Sequence, residues 1–362
     1  MIKKLLGTAT AAALAVGLMA TTASAQTKVG FIYVGPVGDH GWTYRHDQGR
    51  LAIEKEFGDK VKTTFVESVS EGADAERVIR KLAQEGHDLI FTTSFGFMNP
   101  TLKVAKQFPK VKFEHATGYK RDANVSTYAA RFYEGRHVAG LLAGKVTKSN
   151  VVGYIASFPI PEVVRGINAF TMALRSVKPE AEVKVVWVNT WYDPGKESDA
   201  AKALIDQGAD VISQHTDSPA PVQIAQERGV WAVGQASDMS KFAPKAHMTA
   251  IIDVWDHYYV ERTRAVIDGT WKSQDVWDVL DKGMLEMAPY NKDLPADAIA
   301  MAEQAVADIK SGKLHPFTGP IKDQSGKVVV KAGERLDDKA LLTMDWYVEG
   351  VQGIGITLRS AL

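Results

Sequence analysis

Tryptophan, carboxylate and hydroxyl side chains stand together at several points where predicted strands end. Trp42 and Trp191, from distant parts of the chain, could sandwich a flat ring, and stacking on an aromatic side chain contributes about 1–3 kcal/mol per base. Carboxylates and amides beside these rings could bind the edge of the same ring. These residue types could form a site for a planar small molecule, and the strand ends that carry them include Asp39, Trp42, Ser94, Phe95, Trp191 and Asp217.

Some of these residues have a structural explanation as well. Trp42 and Trp191 could cover hydrophobic cores or the surface between two packed parts of the chain. Asp39 precedes a predicted helix that begins near Trp42, and aspartate is a preferred N-cap because its carboxylate accepts a hydrogen bond from a backbone N–H. The two kinds of role can coexist, and both stay open at this point.

Residue patterns that carry catalysis are missing from the sequence. It contains no Gly-x-Gly-x-x-Gly, no Gly-x-Ser-x-Gly and no His-Glu-x-x-His. The stretch 193–196, Asp-Pro-Gly-Lys, looks like part of a phosphate loop, but Thr190 stands where the first glycine is needed. Carboxylates near strand ends more often cap helices or accept hydrogen bonds from a ligand than act as acid or base. We expect a binding protein without cofactor or metal, with an exported enzyme as the weaker alternative.

The first 25 residues have the features of a cleaved signal peptide. A basic start at 1–4 is followed by an apolar run at 5–20, and Ala-Ser-Ala at 23–25 fits a signal-peptidase site. The alternative is a membrane anchor, but the run is shorter than the roughly 20 residues that a span needs. No later segment is apolar enough to cross a bilayer. We therefore expect a secreted, periplasmic protein that is not inserted in the membrane.

The composition narrows the possible partners. The chain has 43 basic and 43 acidic residues, and this balance argues against a nucleic acid or a membrane surface as partner. It has no cysteine, so it carries no disulfide, no thiolate metal site and no cysteine for a lipid anchor. Its length suggests two domains.

Short apolar runs alternate with helix-like segments, which predicts alternating strands and helices. A first unit has predicted strands at 28–35, 62–66, 89–93 and 111–116, and a second unit repeats the rhythm with strands at 150–155, 183–188, 210–213 and 230–234. We predict an α/β fold of two doubly wound, Rossmann-like lobes. In such sheets the ligand site lies beyond the carboxyl ends of the strands, and two facing lobes form a cleft.

Several motifs, in this order and spacing, resemble one known family. The chain is similar to the basic membrane protein family of ABC-transporter substrate-binding proteins, of the purine nucleoside receptor type. The similar stretches are Asp-His-Gly-Trp-Thr at 39–43, Ser-Phe-Gly-Phe at 94–97, Phe-Pro-Lys-Val-Lys-Phe at 108–113, 134–143, Gly-Ala-Asp-Val-Ile at 208–212, and 319–326. The resemblance covers nearly all of the chain that follows the predicted signal peptide.

The resemblance implies a type I periplasmic-binding fold with a three-segment hinge. The expected N-terminal lobe comprises 26–120 plus about 253–285, and the C-terminal lobe comprises 121–252 plus about 286–362. The chain would cross between the lobes near 117–132, near 251–255 and around 281–290. The expected partners are a small purine ligand and an ABC permease in the inner membrane, and the receptor is expected to be a monomer.

The resemblance also assigns roles to residues. Trp42 and Trp191 would stack on the purine, Asp39 would contact its polar edge, and the cleft would be lined by Ser94, Phe95 and Asp217.

Two departures from the family pattern bear on the ligand. Nucleoside-binding relatives carry Ile-Gly-Val-Asp where this chain has Val-Gly-Gln-Ala at 233–236, although Asp238 lies two residues on. Relatives carry a lysine near the place where Asp253 stands. Asp238 and Asp253 are therefore further candidate ligand contacts. Ribose hydroxyls without their partners would cost about 1–3 kcal/mol each, which favours a free, adenine-like nucleobase. A purine nucleoside, a sugar and a signalling molecule remain alternatives, since fold alone does not fix the ligand.

Overall fold

A computed structural model describes residues 26–353. The predicted signal peptide, 1–25, lies outside the described residues. The strands are β1 (Thr27–Ile32), β2 (Val61–Val66), β3 (Leu89–Thr92), β4 (Lys112–Ala116), β5 (Val125–Ala130), β6 (Val151–Ala156), β7 (Glu182–Trp187), β8 (Val211–His215), β9 (Trp231–Ala236), β10 (His247–Asp253), β11 (Asp275–Asp278), β12 (Leu285–Met287), β13 (Ile321–Lys322), β14 (Val328–Val330) and β15 (Val351–Gln352). The α-helices are α1 (Gly41–Phe57), α2 (Ala73–Gln84), α3 (Met98–Ala105), α4 (Phe132–Val146), α5 (Pro161–Val177), α6 (Pro194–Asp206), α7 (Ala220–Arg228), α8 (Asp256–Ile267), α9 (Ala296–Lys310) and α10 (Asp338–Leu342).

The first lobe is built on a six-stranded parallel sheet with the order β11-β5-β4-β3-β1-β2. Every residue of β3 is buried, as expected for a strand covered on both faces. Helices α2 and α3 pack on one face, and α1 and α8 pack on the other. Helix α2 packs on the sheet through one apolar side. Its residues Ala75, Val78, Ile79 and Leu82 are buried, and their spacing places them on the same side of a helix.

The second lobe contains a seven-stranded sheet with the order β12-β10-β9-β8-β6-β7-β15, in which only β12 among the described strands runs antiparallel to its neighbour. Helices α6 and α7 cover one face, while α4 and α5 pack together against the other. The predicted α/β fold of two doubly wound lobes is therefore confirmed. A short hairpin is also present, with β13 paired antiparallel with β14.

The chain passes between the two sheets three times within the described residues. It crosses at Arg131 between β5 and α4, at 254–255 between β10 and α8, and at 279–284 between β11 and β12. The expected boundary at 120 needs correction, because β5 belongs to the first sheet, where Phe113 of β4 pairs with Val125. Asn124 fixes this strand, since its side-chain amide donates to three backbone carbonyls of the first lobe. The first lobe therefore extends to 130.

Candidate ligand-binding cleft

A cavity lies between the two lobes, beyond the carboxyl ends of several strands. This is the position expected for a ligand site in sheets of this type. The first lobe contributes Val34, Trp42, Ser94, Phe95 and Thr117 to its lining, and the second lobe contributes Glu162, Trp191, His215, Asp217 and Gln235. Aromatic and polar side chains thus meet across a narrow gap.

Unusual backbone conformations surround the cavity. Ser68, Thr117, Asn189 and Ala236 have φ angles of 56°, 62°, 53° and 58°, in the left-handed region. They lie at or just beyond the carboxyl ends of β2, β4, β7 and β9. Such conformations cost on the order of 1–3 kcal/mol each and tend to occur at functional sites. The sharp turns carry the chain from the buried strands to the residues that line the cleft.

Trp42 lies in the first turn of α1 and is partly buried. Its Nε1–H donates to the carbonyl of Thr93, at 2.7 Å. Its ring makes edge contacts with His46 and Trp255, with centroids 4.4 and 5.7 Å away. Trp42 therefore packs on the first lobe and also lines the cavity, so the two roles considered from the sequence are both present. The bonded Nε1 and the edge contacts hold the ring in one orientation.

Trp191 lines the cavity from the second lobe. Its ring lies 5.3 Å from that of Phe158, and its Nε1–H donates across the cleft to Glu71 Oε1 at 3.2 Å. The same oxygen accepts hydrogen bonds from Ser94 Oγ at 2.6 Å and from the backbone N–H of Gly96 at 2.9 Å. Glu71 therefore joins the two lobes, and sequence reasoning missed it. The available signal was its position in the polar loop that follows β2.

Asp217 is buried beside both tryptophans. Its backbone N–H donates to the carbonyl of Trp191 at 2.9 Å, which fixes the loop that carries the indole. Burial raises the pKa of the Asp217 carboxyl well above its usual range, and the nearby Glu197 raises it further. The backbone N–H of Trp42 lies against this carboxyl and opposes the rise. Asp217 therefore contacts residues of both lobes at the wall of the cavity.

Three polar lining residues of the second lobe were not predicted. Glu162 stands in the first turn of α5, and its Oε1 lies 3.5 Å from His215 Nε2. Among the described residues, Glu162 Oε2 and His215 Nδ1 have no hydrogen-bond partner. Gln235 accepts a hydrogen bond from Arg136, which also donates to the Gln214 carbonyl at 2.8 Å. These groups leave hydrogen-bonding capacity at the cavity for a polar guest.

His215 is neutral over the ordinary pH range. Burial lowers the pKa of its imidazole to about 4, and the charge of Arg136 adds to this effect. A neutral imidazole offers one donor and one acceptor. Glu162, which raises the pKa of His215, does not outweigh the burial. The pair can therefore bind a ligand edge that has both kinds of hydrogen-bonding group.

Two predicted ligand contacts lie away from the cavity. The side chain of Asp39 is 65% exposed and forms an ion pair with Lys241 of the second lobe. Hydrogen bonds from Lys241 and His40 lower the pKa of the Asp39 carboxyl to about 2. Asp39 does not cap α1 either, because the N-cap position is His40 and no side chain of its own loop bonds there. Asp238 is 41% exposed and accepts from the backbone N–H of Ser240 at 2.8 Å, so it stabilises a short turn.

Asp253 is buried at the end of β10, behind the cavity lining. Arg45 of the first lobe donates to its backbone carbonyl, while its Oδ2 has no partner among the described residues. Burial raises the pKa of the Asp253 carboxyl well above its usual range, and the charge of Arg45 opposes that rise. It therefore lies beside the second lobe crossing and is not part of the lining.

Asp193, considered from the sequence as part of a phosphate loop, has a structural role. Its carboxylate caps α6 by accepting from the backbone N–H of Lys196 at 3.0 Å, and Pro194 occupies the first helical position. Within residues 26–353, no group of three or more histidine, aspartate and glutamate side chains is arranged to hold a metal ion. No helix in the same range combines the length and apolar character that a membrane crossing requires.

The fold and the cleft define a class: two-lobed α/β proteins with a cleft between the lobes. Solved structures show the same fold. An ABC-transporter solute-binding protein from Aeropyrum pernix superposes with a TM-score of 0.69 at 18% identity, covering 87% of this chain and 95% of that one. One from Conexibacter woesei superposes with a TM-score of 0.62 at 23% identity, covering 80% and 98%.

The chain belongs to the family of PnrA-like ABC transporter substrate-binding proteins, whose sequence pattern matches residues 26–325. The resemblance seen in the motifs is thereby confirmed. A purine-binding protein of Brucella abortus is 59% identical over 332 residues, which cover 92% of this chain and 95% of that protein. A protein of Haloferax volcanii, named for glucose binding in an ABC transporter, is 39% identical over 326 residues, covering 89% and 80%.

Proposed function

We propose that this protein is the exported receptor of an ABC importer and that it captures a purine nucleobase, adenine or a close analogue, between its lobes. The observation that carries the proposal is the cavity itself, where Trp42 and Trp191 face a shared space from opposite lobes beside buried polar groups. The similarity to the purine-binding protein of Brucella abortus supports the same ligand class. The bound receptor would dock as a monomer on a permease in the inner membrane.

Trp42 is held within the first lobe before a flat guest arrives, and Trp191 is fixed across the cleft once the lobes are closed. Each uses its Nε1–H in a hydrogen bond to the protein, Trp42 to Thr93 and Trp191 to Glu71. A ring that is already fixed, as that of Trp42 is, loses little conformational freedom on binding, so more of its stacking energy, about 1–3 kcal/mol per base, appears as affinity. Closure also removes water from the cavity, which strengthens hydrogen bonds to the ring edge.

The polar lining would bind the edge of the base. Glu162, His215, Asp217 and Gln235 supply acceptors and donors from one side of the cavity. Purine bases carry donors and acceptors close together on their edges, so an arrangement of mixed groups matches them. Ser94 contributes less, because its hydroxyl already donates to Glu71.

Several features favour a free base over a nucleoside. Position 236, at the end of β9, holds an alanine and offers no acceptor for a ribose hydroxyl. Asp238 is turned to solvent, and Asp253 lies outside the lining. A ribose buried here would leave hydroxyl groups without partners, at about 1–3 kcal/mol each.

A sugar is the second candidate ligand, because the relative from Haloferax volcanii is named for glucose binding. Isothermal titration with adenine, guanine, hypoxanthine, adenosine and glucose separates the candidates. We expect adenine to bind and adenosine to bind at least tenfold more weakly. Binding of glucose without binding of any nucleobase would overturn the proposal and favour the sugar.

A further inference from the structure

The N-terminus of α1 is capped by residues of the opposite lobe. Helix N-termini carry backbone N–H groups that need partners, usually supplied by the residue just before the helix. Here that residue is His40, and its side chain makes no capping bond. Instead, the backbone N–H of Gly41 donates to Ser237 Oγ at 2.7 Å in a buried position. The backbone of Asp217, also from the opposite lobe, approaches the helix at this same residue, Gly41.

The close approach of the lobes at this point depends on a glycine. Gly41 has a φ of 79°, and a Cβ atom placed there would lie 2.7 Å from the carbonyl oxygen of Asp217. A side chain of any size would push the second lobe away. Helix α1 of the first lobe therefore fits against the loops after β8 and β9 of the second lobe only when residue 41 has no side chain.

We propose that Ser237 is a positioning residue for ligand retention: its hydroxyl caps α1 from the opposite lobe only when the lobes are closed, and this holds Trp42 against the cavity. Ser237 is not part of the cavity lining, so it acts through α1 and not by touching the guest. When the lobes separate, the N–H of Gly41 no longer bonds to Ser237 and bonds to water instead. The inference rests on the proposed function for the identity of the guest, but the capping contact itself does not depend on that identity.

The kinetic consequence is specific. A small molecule enters the open form, so a group that acts only in the closed form does not change the association rate. Loss of a capping hydroxyl generally lowers the equilibrium constant for forming the capped structure by about five- to tenfold. We therefore expect Ser237→Ala to raise the dissociation rate of adenine five- to tenfold with an unchanged association rate and an unchanged melting temperature of the ligand-free protein.

The chain has no cysteine, which allows lobe closure to be measured directly. Lys81→Cys on α2 and Lys202→Cys on α6 place one spin label on each lobe, at side chains that are 66% and 50% exposed. Pulsed distance measurements then give the closed fraction with and without adenine. Ser237→Ala should lower that fraction, and Gly41→Ala should lower it further. Ser176→Ala is the matched control, because its hydroxyl bonds only within its own helix.

The outcomes separate the two proposals. If adenine does not bind the wild-type protein, the proposed ligand is wrong, while the closed fraction of the ligand-free protein still tests the cap. Equal closed fractions in wild type and Ser237→Ala overturn the role of Ser237. The role is also overturned if Ser237→Ala loses affinity through a slower association rate. A lower melting temperature of the ligand-free variant, together with an unchanged dissociation rate, would overturn it as well.

Discussion

Trp191 of the second lobe donates its indole N–H to Glu71 of the first lobe, at 3.2 Å, across the mouth of the cleft. Glu71 is exposed, yet one of its oxygens also accepts hydrogen bonds from Ser94 and Gly96. A single carboxylate thus connects the loop after β2, the exit of β3 and an aromatic wall of the cavity. It orients Trp191 without lining the cavity itself.

Replacing Glu71 by alanine should loosen Trp191 and weaken adenine binding about tenfold, which corresponds to about 1.4 kcal/mol. Glu71→Gln should retain most of the affinity, because its amide oxygen still accepts hydrogen bonds. Titration calorimetry of both variants checks this. Equal affinities for wild type and Glu71→Ala would show that Trp191 is held by its other contacts.

Replacing Trp42 by alanine should reduce adenine affinity between fivefold and about a hundredfold, the range that corresponds to one lost stacking contact. Trp42→Phe keeps an aromatic face but loses the hydrogen bond to Thr93, so we expect a smaller loss. Calorimetry and a thermal melt of the ligand-free protein are measured together. A melting temperature many degrees lower with intact affinity would mean that Trp42 serves only the core of the first lobe.

The periodicity of the sequence was sufficient to predict the two lobes, because buried parallel strands such as β3 are short apolar runs that differ clearly from their flanking helices. The same periodicity does not say which sheet a strand joins. Strand β5 pairs with β4 through contacts that only the folded chain reveals, and for this reason the expected boundary at 120 was ten residues early.

Some of the predicted cleft residues line the cavity and others do not. Trp42, Trp191 and Asp217 line the cavity as expected from their positions after strands. Asp39 does not, because it lies between two glycines with left-handed backbones, Gly38 and Gly41, and the direction of a side chain in such a turn does not follow from strand order. Glu162 was missed because a carboxylate in the first turn of a helix is common and carries no motif.

The ion pair between Asp39 and Lys241 joins the lobes at an exposed place, with both side chains more than half exposed. Exposed pairs contribute little, about 0–1 kcal/mol, and salt screens them. Lys241→Ala should therefore weaken adenine binding less than about fivefold at low ionic strength, and the difference should vanish in 0.5 M salt, a concentration with a Debye length of about 4 Å. The effect of Ser237→Ala should persist there, because its contact is buried and uncharged. A salt-insensitive effect of Lys241→Ala would assign that lysine a different role.

Glu134 links two of the lobe crossings, since it stands in the first turn of α4 and accepts from the backbone N–H of Leu280 at 2.7 Å. Burial raises the pKa of its carboxyl to about 7, against the opposing effects of that hydrogen bond and of Arg131. An unfolded glutamate ionises near 4.3, so between these two values the folded chain holds more protons than the unfolded one. The stability from the protonated carboxyl is complete below the unfolded pKa and is lost as the pH rises through 7.

Glu134→Gln removes this titration while keeping an oxygen that can accept from Leu280. The variant should therefore gain stability relative to wild type as the pH rises from 5 to 8, by up to about 3 kcal/mol if the full shift is realised. Urea unfolding at pH 5, 6, 7 and 8 measures the difference. Glu180→Gln, at an exposed position, is the control. A Glu134→Gln difference that stays constant with pH would mean that Glu134 ionises as easily in the folded protein as in the unfolded chain, and that its contact with Leu280 is that of an ordinary ionised carboxylate.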